Sequence, residues 1–492
     1  MSTAEADVAI VGSGVSGLLV ARSLLKAGRR VTIVERGELK THAEQFRDRS
    51  YTVDMPSTRP NHETAPGSPD YPWDYVYGVG GSSLHWDAAT PRFHPNDFRM
   101  RSRFGVMVDW PLSYAELLPF YRRAEQALAV AGARDHSPLP AHPFSPMDRL
   151  VAPHLAPYVP FPQARPTRPV RGNPACCGSA TCELCPVDAR FSALNGLADV
   201  IGHPHVDLRK GTVAARVRLD PGGRSAASLE CLGRGNAPLS IRARTFVLAA
   251  NGLENPGLLL RSGLDGAAVG RYLFDHTHRN VQLVVRARVS AGVGTTLSTG
   301  ESRAFVDGPF RSHRSSALLS PYNPGVTLGE LAVDAAVAGR NGRALRREVV
   351  DRWEHTLPID TLLEDVPRAE RRVTLSRRRD SFGLPLNRVA YPPEGPYERR
   401  GIGAVRDELE RRLASLGIRE IRVVEGRRGG HTLGTCRMGP PGEAVVDRDL
   451  RHHQVENLFV AGGSAFPTYS PAHPTLTISA LAIRLGDHLA AA

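Results

Sequence analysis

The sequence predicts an α/β fold joined to an α+β part: a Rossmann-like dinucleotide-binding domain beside a second domain with an antiparallel or mixed sheet. Three observations predict it. A glycine-rich β-α-β unit stands at the amino terminus, strand-like runs alternate with helices through 277–424, and small-residue loops follow apolar strands near 248 and 460. At 492 residues the chain is too long for one simple core, so two domains are expected.

The first unit is explicit. Val8–Val11 is a short apolar strand, Gly12-Ser13-Gly14-Val15-Ser16-Gly17 follows, Leu18–Ala27 has helical apolar spacing, and Val31–Val34 is the next strand after Gly28. Gly12 makes the tight turn, Gly14 admits a pyrophosphate to the backbone, and Gly17 lets the helix approach the strand. The helix amino terminus then faces the phosphates, and Glu35 ends the second strand where a ribose hydroxyl is expected. This unit binds a dinucleotide without separating NAD from FAD.

The remaining elements follow in order. Ser113 caps an amphipathic helix, and the proline-rich stretch 137–174 reads as loop. Val206–Val213 and Arg244–Leu248 read as strands, as do Val281–Val289 and Arg372–Leu375. Asn457–Val460 is a strand, and the final helix starts near Thr475. His452 and His453 sit in a polar stretch and read as surface residues.

Composition excludes several classes. Hydrophobic residues at 41% and charged residues at 23% are those of a globular protein, and no apolar run reaches a membrane span. Met1–Asp7 leads straight into the first strand without a signal-like segment, so a cytoplasmic location without membrane insertion is expected. The net charge of +12 comes from scattered arginines; Lys26, Lys40 and Lys210 are the only lysines. Short clusters such as Arg377–Arg379 and Arg427-Arg428 read as solvated faces, and no nucleic-acid partner is expected. Four of the six cysteines, Cys176, Cys177, Cys182 and Cys185, fall within ten residues, a local constellation rather than a disulfide framework.

Gly78–Phe93, Gly270–His276, Arg372–Pro385, His431–Gly439 and Pro467–Thr477, in this order behind the glycine-rich unit, resemble the glucose-methanol-choline (GMC) flavin oxidoreductases over most of the chain. The His85-Trp86 loop is similar to the pyranose oxidase branch. The resemblance implies the GMC fold in five segments: 1–100, 195–276 and 425–492 form the FAD-binding domain, while 101–194 and 277–424 form the substrate side. FAD is the implied cofactor. Gly80 and Gly81 then lie along the isoalloxazine ring, His85 is the candidate for covalent attachment, and the Val213 backbone meets the adenine. Ala250 lies near the pyrophosphate, and Gly463, Ser464 and Thr475 close around the flavin.

For the chemistry, the resemblance implies His431 as general base and His473 as the partner that orients the substrate oxygen. An imidazole suits removal of a hydroxyl proton while hydride leaves the carbon. His276, in the Asp275-His276 turn, reads as structural, and Cys436 as packing. The cysteine segment is similar to the one in the large subunits of bacterial FAD-dependent glucose and fructose dehydrogenases, which implies an iron–sulfur centre on Cys176, Cys177, Cys182 and Cys185. Here only Glu183 and Leu184 separate the last two cysteines, one residue fewer than that pattern. A zinc site, disulfides and inert thiols therefore stay open beside the cluster.

The expected function is FAD-dependent oxidation of a hydroxyl of a sugar or amino sugar, aminoglycoside biosynthesis included; Asp87, Glu364 and Asp365 could meet an amino group, the alternative being that they are solvated surface carboxylates. Oxygen, a quinone or a cytochrome would accept the electrons, and a small helper subunit is an expected partner. The alternatives are an NAD-linked dehydrogenase, a GMC dehydrogenase of a non-sugar alcohol, and a non-catalytic flavin electron-transfer subunit.

Overall fold

The computed structural model describes residues 2–47, 62–69, 73, 75–135, 137–180, 185–295, 297–426 and 430–492. Cys182, Arg427 and Arg428 lie outside them.

Continuously buried runs build a parallel sheet at the amino terminus. Ser2–Val11 pairs in parallel with Val31–Val34 on one side and Pro238–Leu248 on the other. Val206–Arg209 extends the first edge, and Leu458–Val460 pairs with the end of Pro238–Leu248. All four residues of Val31–Val34 are buried, as a parallel strand covered on both faces requires. An antiparallel pair, Val213–Leu219 and Ala226–Leu232, joins this sheet through the first half of Pro238–Leu248.

The helix Val15–Lys26 packs against the final helix Thr475–Ala491. Gly486 permits the approach: a Cβ there would stand 2.7 Å from that of Ser23. The helix Tyr114–Ala127 lies on the other side of the final helix, capped by Ser113 as expected and tied by Tyr121 Oη to Thr477 Oγ1 at 2.7 Å.

A second sheet is antiparallel throughout. Its order is Ile418–Glu425, Thr277–Val285, Thr356–Leu363, Ala317–Pro321, Gly300–Ser302 and Tyr158–Pro160. The helix Pro396–Arg412 adds Val405 and Leu409 to its apolar core. A third, small sheet holds Arg372–Arg379, Pro385–Ala390 and His62–Thr64.

Several expectations need correction. The run 206–213 is two strands: Gly211, at φ +62°, turns the chain, and its N–H donates to Gly37 O at 3.1 Å, so Val213 begins a different, antiparallel strand. The 137–174 stretch contains the helix Pro146–Val151 and the strand Tyr158–Pro160. His452 is buried, 4% exposed, and burial pushes its imidazole down to about 4.

Glu364 and Asp365 are fully buried and already paired, so neither is available to an amino sugar. Glu364 accepts from Arg311 at 2.5 Å and from the Tyr397 hydroxyl at 2.6 Å. Asp365 accepts from Arg371 and from the Tyr391 hydroxyl. Arg311 also contacts Asp97 at 2.7 Å and so ties the segment after the 78–93 loop to the antiparallel sheet.

Candidate active site

Three glycines, Gly12, Gly14 and Gly17, stand where the first strand enters its helix. Gly12 has φ +102°, and a Cβ there would stand 2.6 Å from Ala249 O, so the first and fourth parallel strands end in contact. Gly17 is tighter, since its Cβ would fall 2.1 Å from Gly12 O. At Gly14 a Cβ would meet nothing within 4 Å, so the backbone at the helix amino end faces open space. Gly80 and Gly81, both at positive φ, lie across from it, with Gly80 N–H donating to Ser13 O at 3.2 Å. A bare backbone before a helix amino terminus fits the phosphates of a dinucleotide. Gly17→Ala is expected to yield protein without bound flavin, read from flavin absorbance per polypeptide.

Glu35 is buried at the end of its strand. Its carboxylate accepts from Ser13 Oγ at 2.7 Å, Ser13 N at 3.1 Å and Gly37 N at 2.8 Å. Burial raises its pKa while these bonds lower it. Ala250 precedes the helix Asn251–Arg261 and donates its N–H to Asn255 Oδ1 at 2.8 Å. Asn255 Nδ2 in turn donates to Ser464 Oγ at 2.9 Å, which fixes the Gly463–Ala465 turn against Ala250. Asn255 carries this link although the sequence reading gave it no role. Thr475 opens the final helix.

His85 ends the short turn Gly81–Leu84. Arg190 grips the loop on both sides of it, donating to Leu84 O at 2.5 Å and Trp86 O at 2.7 Å. Burial, then the Arg190 charge, lowers the His85 pKa to about 4, leaving a neutral imidazole. Of the cysteine cluster, Cys185 is buried, with Sγ accepting from Ala189 N at 3.3 Å, and Cys177 is exposed. Among the described residues, no group of three ligand atoms close enough for a single ion includes a cysteine. Cys436 is fully buried, and burial raises its thiol pKa to about 12, which suits packing.

The histidines meet through backbone pairing. Phe274 and Leu433 exchange two N–H···O bonds of 3.1 Å in an antiparallel bridge. Two residues beyond on one strand and two before on the other bring His276 opposite His431 on the same face. Gly434, at φ +85°, allows this close approach, because a Cβ there would stand 2.3 Å from Tyr272 O. The segment after the Gly463–Ala465 turn supplies Tyr469 and His473.

The His431 and His473 rings stand 5.5 Å apart, nearly perpendicular at 84°. His276 sits behind them with Nδ1 3.0 Å from His431 Nδ1 and 3.0 Å from Tyr469 Oη. Asp275 Oδ1 lies 3.6 Å from His431 Nδ1. The ligand atoms of Asp275, His276 and His431 lie within 4.8 Å of one another, a geometry a metal ion could share and hydrogen bonding already uses. His276 was expected to be structural; the structure places it against His431.

Burial and the neighbouring His278 push His431 down to about 3. Burial, then His431 and His278, holds His473 well below the usual imidazole range. His431 nevertheless keeps 23% of its side-chain surface exposed, which leaves it reachable. A neutral imidazole accepts a proton, and protonation removes that capacity. The limiting rate of flavin reduction is therefore expected to stay level down to about pH 5. A loss centred near the ordinary histidine value of about 6.5 contradicts this.

Comparison with known proteins gives the family. Models of the amino- and carboxy-terminal parts of GMC oxidoreductases match residues 77–278 and 367–482, and a model of FAD dependent oxidoreductases matches 7–46. The chain is 31% identical to 6'''-hydroxyparomomycin C oxidase of Streptomyces lividus, over 99% of this chain and 92% of that protein. The chain belongs to the GMC oxidoreductase family. This GMC oxidoreductase is also 29% identical to the fructose dehydrogenase large subunit of Gluconobacter japonicus, covering 99% and 98% of the two chains. Its fold matches pyridoxine 4-oxidase from "Mesorbium loti" with a TM-score of 0.69, at 22% identity and over 98% and 99% of the two chains. It is an FAD-dependent enzyme acting on CH–OH groups. Among the described residues, no helix is long and apolar enough to cross a membrane.

Proposed function

We propose that this enzyme oxidises a hydroxyl of a sugar or amino sugar to the carbonyl, with His431 taking the hydroxyl proton and His473 holding the oxygen. The observation that carries the reading is the perpendicular His431–His473 pair, two neutral imidazoles 5.5 Å apart. One imidazole can accept the proton while the other donates to the oxygen, which orients the C–H bond. FAD, when bound, would supply the hydride acceptor, N5 of its flavin ring. Gly12, Gly14, Gly17, Gly80 and Gly81 would admit its phosphates and ring, Glu35 its ribose, and Val213 its adenine. Ala250, Gly463, Ser464 and the Thr475 helix end would close the site.

The carbohydrate class is supported by relatives named for fructose, for hydroxyparomomycin C and for paromamine. The five-segment division of the chain belongs to the same reading, with the antiparallel sheet as the substrate side. His85, held neutral in a clasped loop, is the proposed point of flavin attachment. Flavin fluorescence that stays with denatured wild-type protein, and leaves denatured His85→Ala, is the expected result. The same purified protein settles the cysteines, since iron in stoichiometric amount would assign them to a cluster relay towards an external acceptor. Without iron, oxygen or a soluble acceptor would be the electron sink.

The direct test is anaerobic mixing of the holoenzyme with D-fructose, paromamine or hydroxyparomomycin C. Bleaching of the flavin by one of them is expected. A flavin that none of them bleaches removes the sugar reading.

A further inference from the structure

We propose that His276 is a positioning residue that fixes the tautomer of His431, holding the proton on Nδ1 and leaving the Nε2 lone pair for substrate. The inference rests on the reading of His431 as base.

It follows from which partners can only accept. His276 Nε2 lies 3.2 Å from Ser470 O, and a carbonyl only accepts, so Nε2 carries the hydrogen. His276 is buried, 2% exposed, and burial with the neighbouring His431 and His473 keeps it neutral. Its Nδ1 is therefore a lone pair. That lone pair faces His431 Nδ1 at 3.0 Å and the Tyr469 hydroxyl at 3.0 Å.

From the side of His431, the polar partners of Nδ1 are this lone pair and Asp275 Oδ1 at 3.6 Å. Both are acceptors, so Nδ1 of His431 must carry its hydrogen, and Nε2 is bare. When the substrate hydroxyl gives its proton to Nε2, the Nδ1 proton stays, and the resulting imidazolium is held by the same two acceptors. The other titratable groups facing the pair are His278, His473 and Tyr469.

Position 276 is held rigidly. Tyr469 stacks on the ring with centroids 4.2 Å apart and 26° between planes, and the backbone N–H of His276 donates to Asp275 Oδ1 at 2.7 Å. The Phe274–Leu433 bridge keeps the two imidazoles in register.

Two variants separate positioning from packing. His276→Leu keeps the volume and loses the acceptor. His276→Gln restores both contacts, with its amide NH2 towards Ser470 O and its amide oxygen towards His431. In flavin-loaded enzyme mixed anaerobically with whichever of D-fructose or paromamine reduces the wild type, His276→Leu is expected to be roughly 10- to 100-fold slower, the scale of losing an outer hydrogen bond to a functional imidazole. His276→Gln is expected to recover most of that rate. Two-bond 1H–15N spectra of 15N-histidine-labelled protein are expected to show His431 as the Nδ1–H form and His276 as the Nε2–H form. That readout does not depend on turnover or on the leucine variant folding.

A wild-type His431 found in the Nε2–H form overturns the proposal, as does His276→Gln no faster than a folded His276→Leu. A wild-type rate in His431→Ala overturns the base reading instead. A wild-type rate in His276→Leu beside a slow His431→Ala overturns the positioning role alone.

Discussion

His431→Ala is expected to slow flavin reduction by substrate roughly 10²- to 10⁴-fold, the range for losing a positioned general base. That corresponds to about 3–5 kcal/mol of transition-state stabilisation. Flavin should remain bound, because the glycine turns expected to hold the dinucleotide lie at the first strand and the 78–93 loop, and the His431 side chain is no part of them. The effect should fall on the limiting rate more than on substrate binding, since His473 remains to hold the oxygen. His473→Ala should weaken substrate binding and the rate together. A His431→Ala enzyme that reduces flavin at the wild-type rate contradicts the assignment.

Arg311→Met is expected to be the most damaging of the structural substitutions. Its guanidinium is 0% exposed and lies between Asp97 and Glu364, both also 0% exposed. Removing it leaves two buried carboxylates without their shared cation, and breaking a buried pair in this way costs about 3–5 kcal/mol. Asp307, at 3.2 Å and 26% exposed, can turn to solvent and adds less. The expected result is a fall of several degrees in Tm, or loss of folded protein. Arg224→Ala serves as the comparison: Arg224 and Glu456 pair at 2.6 Å with side chains 79% and 57% exposed, and such pairs contribute little. Equal Tm values for Arg311→Met and Arg224→Ala would refute the buried-network account.

Much of this was legible in the chain because the information is local. The Gly12–Gly17 turn, its flanking strands and the Ser113 cap each depend on residues within one turn or one β-α-β unit. His431 and His473 were legible through a family pattern, since nothing about an isolated histidine marks it as a base. His276 was not, because its position depends on a pairing register between Phe274 and Leu433, which are far apart in sequence. Glu364 and Asp365 were misread for the same reason. Their partners, Arg311 and Arg371, are set by tertiary packing, and a carboxylate in sequence carries no mark of burial. The strand break at Gly211 was a local error: a Lys-Gly turn was present, and apolar residues on both sides of it suggested a single run.

The most direct measurement is the rate of flavin bleaching in a single anaerobic turnover of the holoenzyme, with a sugar or amino-sugar substrate carrying hydrogen or deuterium at the reacting carbon. Wild type and His431→Ala are compared. The account predicts bleaching that slows with deuterium in the wild type, and that nearly stops in His431→Ala with flavin still bound. Equal rates with the two isotopes and with the two proteins, in enzyme shown to bind the substrate, would contradict it.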